Sequence, residues 1–128
     1  MNLLLDTHTF LYYVNSSPLL SDPARDVIAD PTNTIYLSVV SAWEIAIKSS
    51  LNKLQIPKPV ELFIPEQLWL NDFQLLPIKI SHLGVVAQFP FHHRDPFDRL
   101  LAAQSITENL PLISIDGKLD AYGVSRIW

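Results

Sequence analysis

Five short runs read as strands, at residues 3–5, 35–37, 75–78, 112–115 and 125–127, the first four largely apolar and the last Ser-Arg-Ile, and the segments between them carry apolar residues at helical spacing. Apolar runs of this length that do not alternate with polar residues suit strands covered on both faces. Strand-then-helix alternation is the pattern of a parallel sheet with helices on either side. The expected fold is therefore α/β, a three-layer α/β/α sandwich around a central, mostly parallel sheet. No internal repeat and no low-complexity segment interrupts the pattern.

Several helix boundaries are marked. Asp22-Pro23 and Asp95-Pro96 each set an acid, expected as N-cap, before a proline at the first helical position, where the missing N–H costs nothing. Ser81 is expected to open a third helix. Residues 60–73 have a helical pattern, and Pro65 within it must either kink the helix or split it in two. In the helix predicted over residues 43–51, Trp43, Ile47 and Leu51 form one row and Glu44 and Lys48 the next, which sets Glu44 beside the buried face.

The chemistry lies in four acids. Asp6 directly follows the first apolar run and Asp116 directly follows Leu112-Ile113-Ser114-Ile115, so both are expected at carboxyl ends of parallel strands, the edge where α/β sheets bind ligands. Glu44 is expected in the first turn of the helix after the second strand, and Asp98 in the first turn of the helix opened by Asp95-Pro96. Such helices leave from that same edge. Carboxylates crowded together repel, and near neutral pH they persist when protonated, solvated or bound to cations, with Mg²⁺ or Mn²⁺ as the natural partner of oxygen ligands. A metal held this way suits phosphodiester hydrolysis, because its waters supply the nucleophile and its charge stabilises the phosphoryl oxygens. Each acid also has a local use: Asp6 as a cap, Glu44 in a capping box with Ser41 or a pair with Lys48, Asp98 at a helix N-terminus, and Asp116-Gly117 as a turn.

Composition narrows the field. A chain of 128 residues suits one domain, residues 1–128, with its own core. The net charge of −4 argues against holding nucleic acid by bulk electrostatics, yet leaves room for a nuclease whose acids are neutralised by cations. The absence of cysteine rules out disulfides and cysteine-ligated zinc and fits a reducing compartment, so a cytoplasmic location is expected. Met-Asn-Leu-Leu-Leu-Asp has neither the basic region nor the long apolar stretch of a signal or anchor, so no membrane association is expected. With 48% apolar residues, some apolar surface is expected to remain for a partner, and a homodimer is the first expectation.

Four segments then carry a family resemblance. Leu3-Leu4-Leu5-Asp6-Thr7-His8, Ser38-Val39-Val40-Ser41-Ala42-Trp43-Glu44-Ile45, His93-Arg94-Asp95-Pro96-Phe97-Asp98-Arg99-Leu100-Leu101-Ala102-Ala103-Gln104 and Leu112-Ile113-Ser114-Ile115-Asp116 resemble the ordered motifs of PIN-domain nucleases. The chain as a whole resembles the VapC-type toxins of bacterial toxin–antitoxin modules, and the Asp-Pro-Phe-Asp-Arg-Leu-Leu block is the most specific part. The resemblance implies a Mg²⁺- or Mn²⁺-dependent endoribonuclease with Asp6, Glu44, Asp98 and Asp116 at the metal-site positions and Ser114 at the hydroxyl position before the fourth acid. It also implies two protein contacts, a homodimer and a small antitoxin that covers the acidic cleft. Asp98 is assigned as the ligand because it begins the helix after the motif, and Asp95, three residues earlier, as the cap, although both can face the cleft. Ser114 and Thr7 are candidate donors that orient carboxylates, and strand-end hydroxyls satisfying the backbone explain them as well.

Other signals add less. His8, His82, His92 and His93 form no His-Glu-x-x-His helix, which disfavours zinc, and His92 and His93 are expected in a solvated loop, at most touching RNA phosphate. The three glycines make no phosphate-cradling loop. Lys48, Arg94, Arg99 and Lys118 lie near the acids in sequence and are candidate phosphate contacts. Apolar residues of the Val60–Leu70 segment, including Phe63, Leu68 and Trp69, exceed the apolar need of one helix face; such a stripe is more often core, and the resemblance makes the segment a candidate for part of one of the two protein contacts. Two competing readings are an aspartyl-phosphate phosphatase, weakened because His8 stands where its second acid would be, and a catalytically silent interaction module.

Overall fold

The structure is a computed structural model that describes residues 1–128. Its strands are β1 (Asn2–Leu5), β2 (Thr34–Ser38), β3 (Gln74–Leu76), β4 (Leu112–Ile113) and β5 (Arg126–Ile127). They form one sheet in the order β3-β2-β1-β4-β5, and every pairing is parallel, a stricter form of the sheet the sequence predicts. The helices are α1 (Thr7–Val14), α2 (Asp22–Ala29), α3 (Val39–Ser50), α4 (Val60–Asn71), α5 (Ile80–Gln88) and α6 (Pro96–Thr107), followed by a 3-10 helix, Gly117–Tyr122.

Strand β1 shows why the chain makes three layers. Successive strand residues point to opposite faces. Leu3 and Leu5 join Phe10, Ile35, Leu37 and Phe63 on one side, whereas Leu4 joins Leu101, Leu112 and Leu119 on the other. Helix α3 touches both layers, Ile45 belonging to the first cluster and Val40 to the second. On the first side Phe10 meets Phe63 and Phe73 edge-on, with ring centroids 6.3 and 6.4 Å apart.

The order of strands also places a site. The chain steps outward from β1 through β2 to β3, then returns across the sheet to β4 on the far side of β1. Between β1 and β4 the winding reverses, and the crevice above such a point is where parallel α/β sheets bind ligands. Asp6 follows β1, and Ser114 and Asp116 follow β4.

Several predicted boundaries shift, each for a local reason. Strand β4 stops at Ile113, not Ile115: Ser114 still donates its N–H to Ile127, but Arg126 takes the Ser114 carbonyl and Ile115 turns outward. Asp116 therefore sits on a turn beyond the strand, and its carboxylate caps the 3-10 helix by accepting the Lys118 N–H. Strand β3 ends before Pro77, and as an edge strand it leaves Leu75 exposed. Ser21, not Asp22, caps α2, accepting the Ala24 N–H while Asp22 becomes the first helical residue and pairs with Arg25. Helix α5 opens at Ile80, ahead of Ser81, where the His82 ring accepts the Lys79 N–H.

Helix α3 differs most. It begins at Val39, because Ser38 accepts the Val40 N–H, so Glu44 lies in the second turn and not the first. Its buried face is Val40, Ser41, Glu44 and Ile45, whereas Trp43 and Leu51 are more than half exposed. The apolar row does not face the core, since the inward row carries the polar groups of the cleft. Trp43 instead packs edge-on against Phe97, with centroids 4.9 Å apart.

Pro65 lies inside α4 without splitting it, in one helix from Val60 to Asn71. An interior proline removes an N–H and crowds the carbonyl four residues back, at a cost of about 3 kcal/mol, offset in part because proline also restricts the unfolded chain. Pro65→Ala is therefore expected to raise stability by about 1–2 kcal/mol, read as a higher midpoint at unchanged slope in urea denaturation.

Candidate functional site

The four acids arrive from four elements at the carboxyl edge of the sheet. Asp6 leads from β1 into α1 with extended backbone, and its side chain does not cap that helix. Instead its Oδ2 accepts a hydrogen bond from Ser114 Oγ at 2.6 Å, which ties the end of β1 to the end of β4. Glu44, carried on the inward face of α3, pairs one turn on with Lys48 through Oε2. Asp98 sits in the first turn of α6, whose N-cap is Asp95; Asp95 Oδ1 accepts the N–H groups of Phe97 at 2.8 Å and Asp98 at 3.4 Å. Asp116 Oδ2 lies 2.7 Å from His93 Nε2, and Asp98 Oδ2 lies 3.2 Å from the same nitrogen.

Burial and mutual repulsion set the electrostatics. Asp6 and Glu44 are 3% and 1% exposed. Asp6 Oδ1 and Glu44 Oε1 are buried and have no hydrogen-bond partner. Burial raises the Asp6 carboxyl above its ordinary value against the opposing bond from Ser114, and Glu44 adds to the rise. Asp98 is pushed up to about 8, first by burial and then by the charges of Asp6, Asp95, Glu44 and Asp116. Burial also acts to raise Asp116, but the bonds from His93 and the Lys118 N–H outweigh it and hold that carboxyl low. Lys48, although burial acts to lower it, is raised by Glu44 and by the more distant Asp95 and Asp98.

The other candidates divide. Ser114 meets Asp6 as a donor and also accepts the Asp116 N–H at 3.0 Å, so one hydroxyl joins two of the acids. Thr7 Oγ1 donates to Ser41 Oγ at 2.9 Å, not to a carboxylate, and links α1 to α3. Lys48 is engaged by Glu44. Arg99 turns toward α5, with a long 3.4 Å contact to the Val86 carbonyl and its guanidinium 4.8 Å from the centre of the Phe91 ring. Arg94 and Lys118 remain exposed.

His93 corrects the sequence reading. In place of a solvated loop position, its ring lies within the acid cluster, between Asp98 and Asp116. The available signal was its place at the head of the His93-Arg94-Asp95-Pro96-Phe97-Asp98 segment; a loop histidine without a metal spacing carries no more than that. The two hollows of the fold, each about 300 Å³, lie elsewhere, around Pro111 and Asn33 at the amino ends of β4 and β2. The acids thus occupy the crevice above the reversal of the sheet and not an enclosed cavity.

This donor set fits a hard divalent cation. His93, Asp98 and Asp116 offer ligand atoms within 4.8 Å of one another. The unpartnered oxygens of Asp6 and Glu44 are what a buried cation would satisfy, and oxygen-rich sites favour Mg²⁺ and Mn²⁺.

Comparison with known proteins agrees with the geometry. The profile of the PIN domain family matches residues 3–124. A 58-residue stretch is 43% identical to Ribonuclease VapC16 of Mycobacterium tuberculosis; the match spans 45% of this chain and 40% of the length of that protein. Among solved structures, VapBC2 from Rickettsia felis, bound to a DNA fragment from its promoter, superposes with a TM-score of 0.71 at 17% identity, covering 99% of this chain and 98% of that one. FitAcB from Neisseria gonorrhoeae gives 0.65 at 20% identity over 100% and 97% of the two chains. VapBC-1 from nontypeable Haemophilus influenzae gives 0.66 at 16% over 99% and 97%. At these identities the structural likeness is one of fold.

The raised carboxyls give the cation-free protein a pH dependence of known sign. Between the ordinary aspartate value of 3.8 and about 8, folded Asp98 keeps a proton that the unfolded chain releases, so stability falls as pH rises through that window. Asp6 contributes with the same sign, whereas Asp116, held low, changes stability only below its ordinary value. Urea denaturation in chelator is expected to show stability declining from pH 5 to pH 8, and Asp98→Asn is expected to flatten that decline. A wild-type profile that is flat or rises over this range contradicts the crowding of the carboxyls.

Proposed function

Because this chain belongs to the PIN-domain family, we propose that it is a Mg²⁺- or Mn²⁺-dependent endoribonuclease, the toxin of a toxin–antitoxin pair, acting in the cytoplasm. One observation carries the reading: two buried carboxylate oxygens, Asp6 Oδ1 and Glu44 Oε1, stand without partners in a cluster that also holds Asp98 and Asp116. Uncompensated buried acceptors are costly, and a cation is the partner that four converging acids suit. Asp6, Glu44, Asp98 and Asp116 would hold it, directly or through water. When bound, it supplies an activated water and neutralises the phosphoryl oxygens during in-line attack.

The chain's own groups orient that site. Ser114 fixes Asp6 by holding Oδ2, which leaves Oδ1 free to face a ligand. Lys48 does the same for Glu44 through Oε2, leaving Oε1. Asp95 acts as the cap that sets the first turn of α6, and with it the position of Asp98. Arg94 and Lys118, exposed beside His93 and Asp116, are the cations suited to RNA phosphates; Lys48 and Arg99 are already engaged within the protein.

Two protein partners belong to the proposal, a small antitoxin over the cleft and a second copy of the chain. Helix α4 supports a protein contact: Phe63 is buried in the core and Leu68 packs against it, whereas Trp69, with Leu62 and Leu70, stands 82%, 57% and 58% exposed, an apolar load that a solvated helix does not need. No helix is long and apolar enough to cross a membrane.

Cation binding and cleavage are tested together. Mn²⁺ is expected to stabilise the fold by about 2.7 kcal/mol at a hundredfold excess over Kd, an effect abolished by chelator. Mapping of new 5′ ends in a pool of cellular RNA is expected to show Mn²⁺-dependent cuts by wild type and none by Asp6→Asn. In chelator Asp6→Asn is expected to be as stable as wild type or more so, by up to about 1–2 kcal/mol, because a repelling charge is gone. Intact, Mn²⁺-loaded protein that cuts no RNA would favour the silent interaction module, and an active, destabilised Asp6→Asn would remove Asp6 from the site.

A further inference from the structure

We propose that His93 is a positioning residue: it donates its Nε2–H to Asp116, beside Asp98, and holds the Asp116 carboxylate in place for a cation that it does not itself ligate. The inference rests on the metal-site reading above and concerns what keeps that site assembled. Distance alone does not separate a ligand from a donor, since His93 Nε2 lies 2.7 Å from Asp116 Oδ2 and 3.2 Å from Asp98 Oδ2. The other ring nitrogen decides. His93 Nδ1 accepts the main-chain N–H of Asp95 at 3.0 Å, and an N–H can only donate, so Nδ1 presents its lone pair. A neutral imidazole carries one proton, which must then reside on Nε2. A protonated Nε2 has no lone pair for a metal, and the Asp116 Oδ2 beside it accepts its proton.

The ring is fixed on every side that matters to this role. The main-chain N–H groups of His92 and His93 both donate to the Tyr122 hydroxyl oxygen, at 3.1 and 3.0 Å. The Tyr122 ring is packed by Phe89 and His92, with centroids 4.4 and 5.2 Å away. Tyr122 closes the 3-10 helix that begins just after Asp116, so the histidine backbone is anchored to the same short element that presents its acceptor. Asp95 links the other end: its N–H selects the tautomer while its carboxylate caps the helix that presents Asp98. His93 thus bridges the start of α6 and the turn after β4, two places that no strand pairing joins. Without the bridge, the Asp116 carboxylate loses the donor that ties it to the segment leading into α6.

The tautomer can be read in the unmodified protein. Long-range ¹H–¹⁵N correlation spectra of the cation-free chain are expected to show the His93 proton on Nε2 and none on Nδ1, and Mg²⁺ is expected to leave that pattern in place. In calorimetric titrations with Mn²⁺, His93→Ala is expected to weaken binding about 10- to 100-fold, the usual loss when a partner of a metal ligand is removed. His93→Gln, whose amide can donate from near the Nε2 position, is expected to remain close to wild type. Tyr122→Phe, which removes the acceptor of two backbone N–H groups, is expected to fall between the two. A proton that moves to Nδ1 when Mg²⁺ is added, or a glutamine variant as weak as alanine, overturns the donor role and makes His93 a ligand. Equal Mn²⁺ affinity in wild type and His93→Ala overturns the tether alone, whereas wild type that takes up no Mn²⁺ overturns the metal reading as well.

Discussion

Acidic groups buried beside one another are the condition that the rest of this molecule must accommodate. Moving a carboxylate out of water costs several kcal/mol even after relaxation, and a second one nearby adds repulsion. Asp6 and Glu44 are almost wholly enclosed, and each has one oxygen held by a neighbour and one left bare. The cation-free chain relieves the strain in two ways, by a proton retained on Asp98 and by donors from Ser114, Lys48 and His93. The groups cannot relieve it by drifting apart, because β1 is buried on both faces and paired on both edges.

The scaffold converts that rigidity into placement. A parallel sheet delivers strand ends to one edge, and the reversal between β1 and β4 opens the crevice there. Helix α3 then brings Glu44 in from between the two helical layers, which is why its inward face combines Val40 and Ile45 with Ser41 and Glu44. A polar network stiffens the far side of the same helix start: Ser38 donates to Gln104, which donates to the Pro77 carbonyl, and the buried His82 reaches Glu108. The bonds from His82 and then Lys79 hold the Glu108 carboxyl below its ordinary range.

Much of this was legible in the chain. Apolar runs located the central strands β1, β2 and β4, which are largely buried, and marked the places of the edge strands β3 and β5, which are exposed or half-buried and carry Gln74 and Arg126; Asp95-Pro96 marked the start of α6. The four acids could be assigned to one edge from their positions after strands and near helix starts, although Glu44 lies one turn further into α3 than its pattern indicated. What the pattern misplaced was the side of α3 that faces inward, since hydrophobicity picks out Trp43 and Leu51 while the structure buries Glu44. A face that lines a charged cleft violates the rule by which buried faces are found. The role of His93 was hidden for a related reason: its partners are 5 and 23 residues away on separate elements, and only the folded topology brings them to one nitrogen.

The bond between Ser114 and Asp6 spans 108 residues of sequence and seals the two strands at the middle of the sheet. Contacts of such long range must await the synthesis of their later member, whatever forms locally before then. A ribosome that has made β1, β2 and β3 has already exposed Asp6 and Glu44, yet the crevice has only one wall. The cluster is complete only with β4 paired to β1, the pairing that brings Ser114 and Asp116 beside Asp6. Chains that stop short of β4 therefore carry the first acids without the last, so the cluster cannot be assembled until the segment through Asp116 has been made.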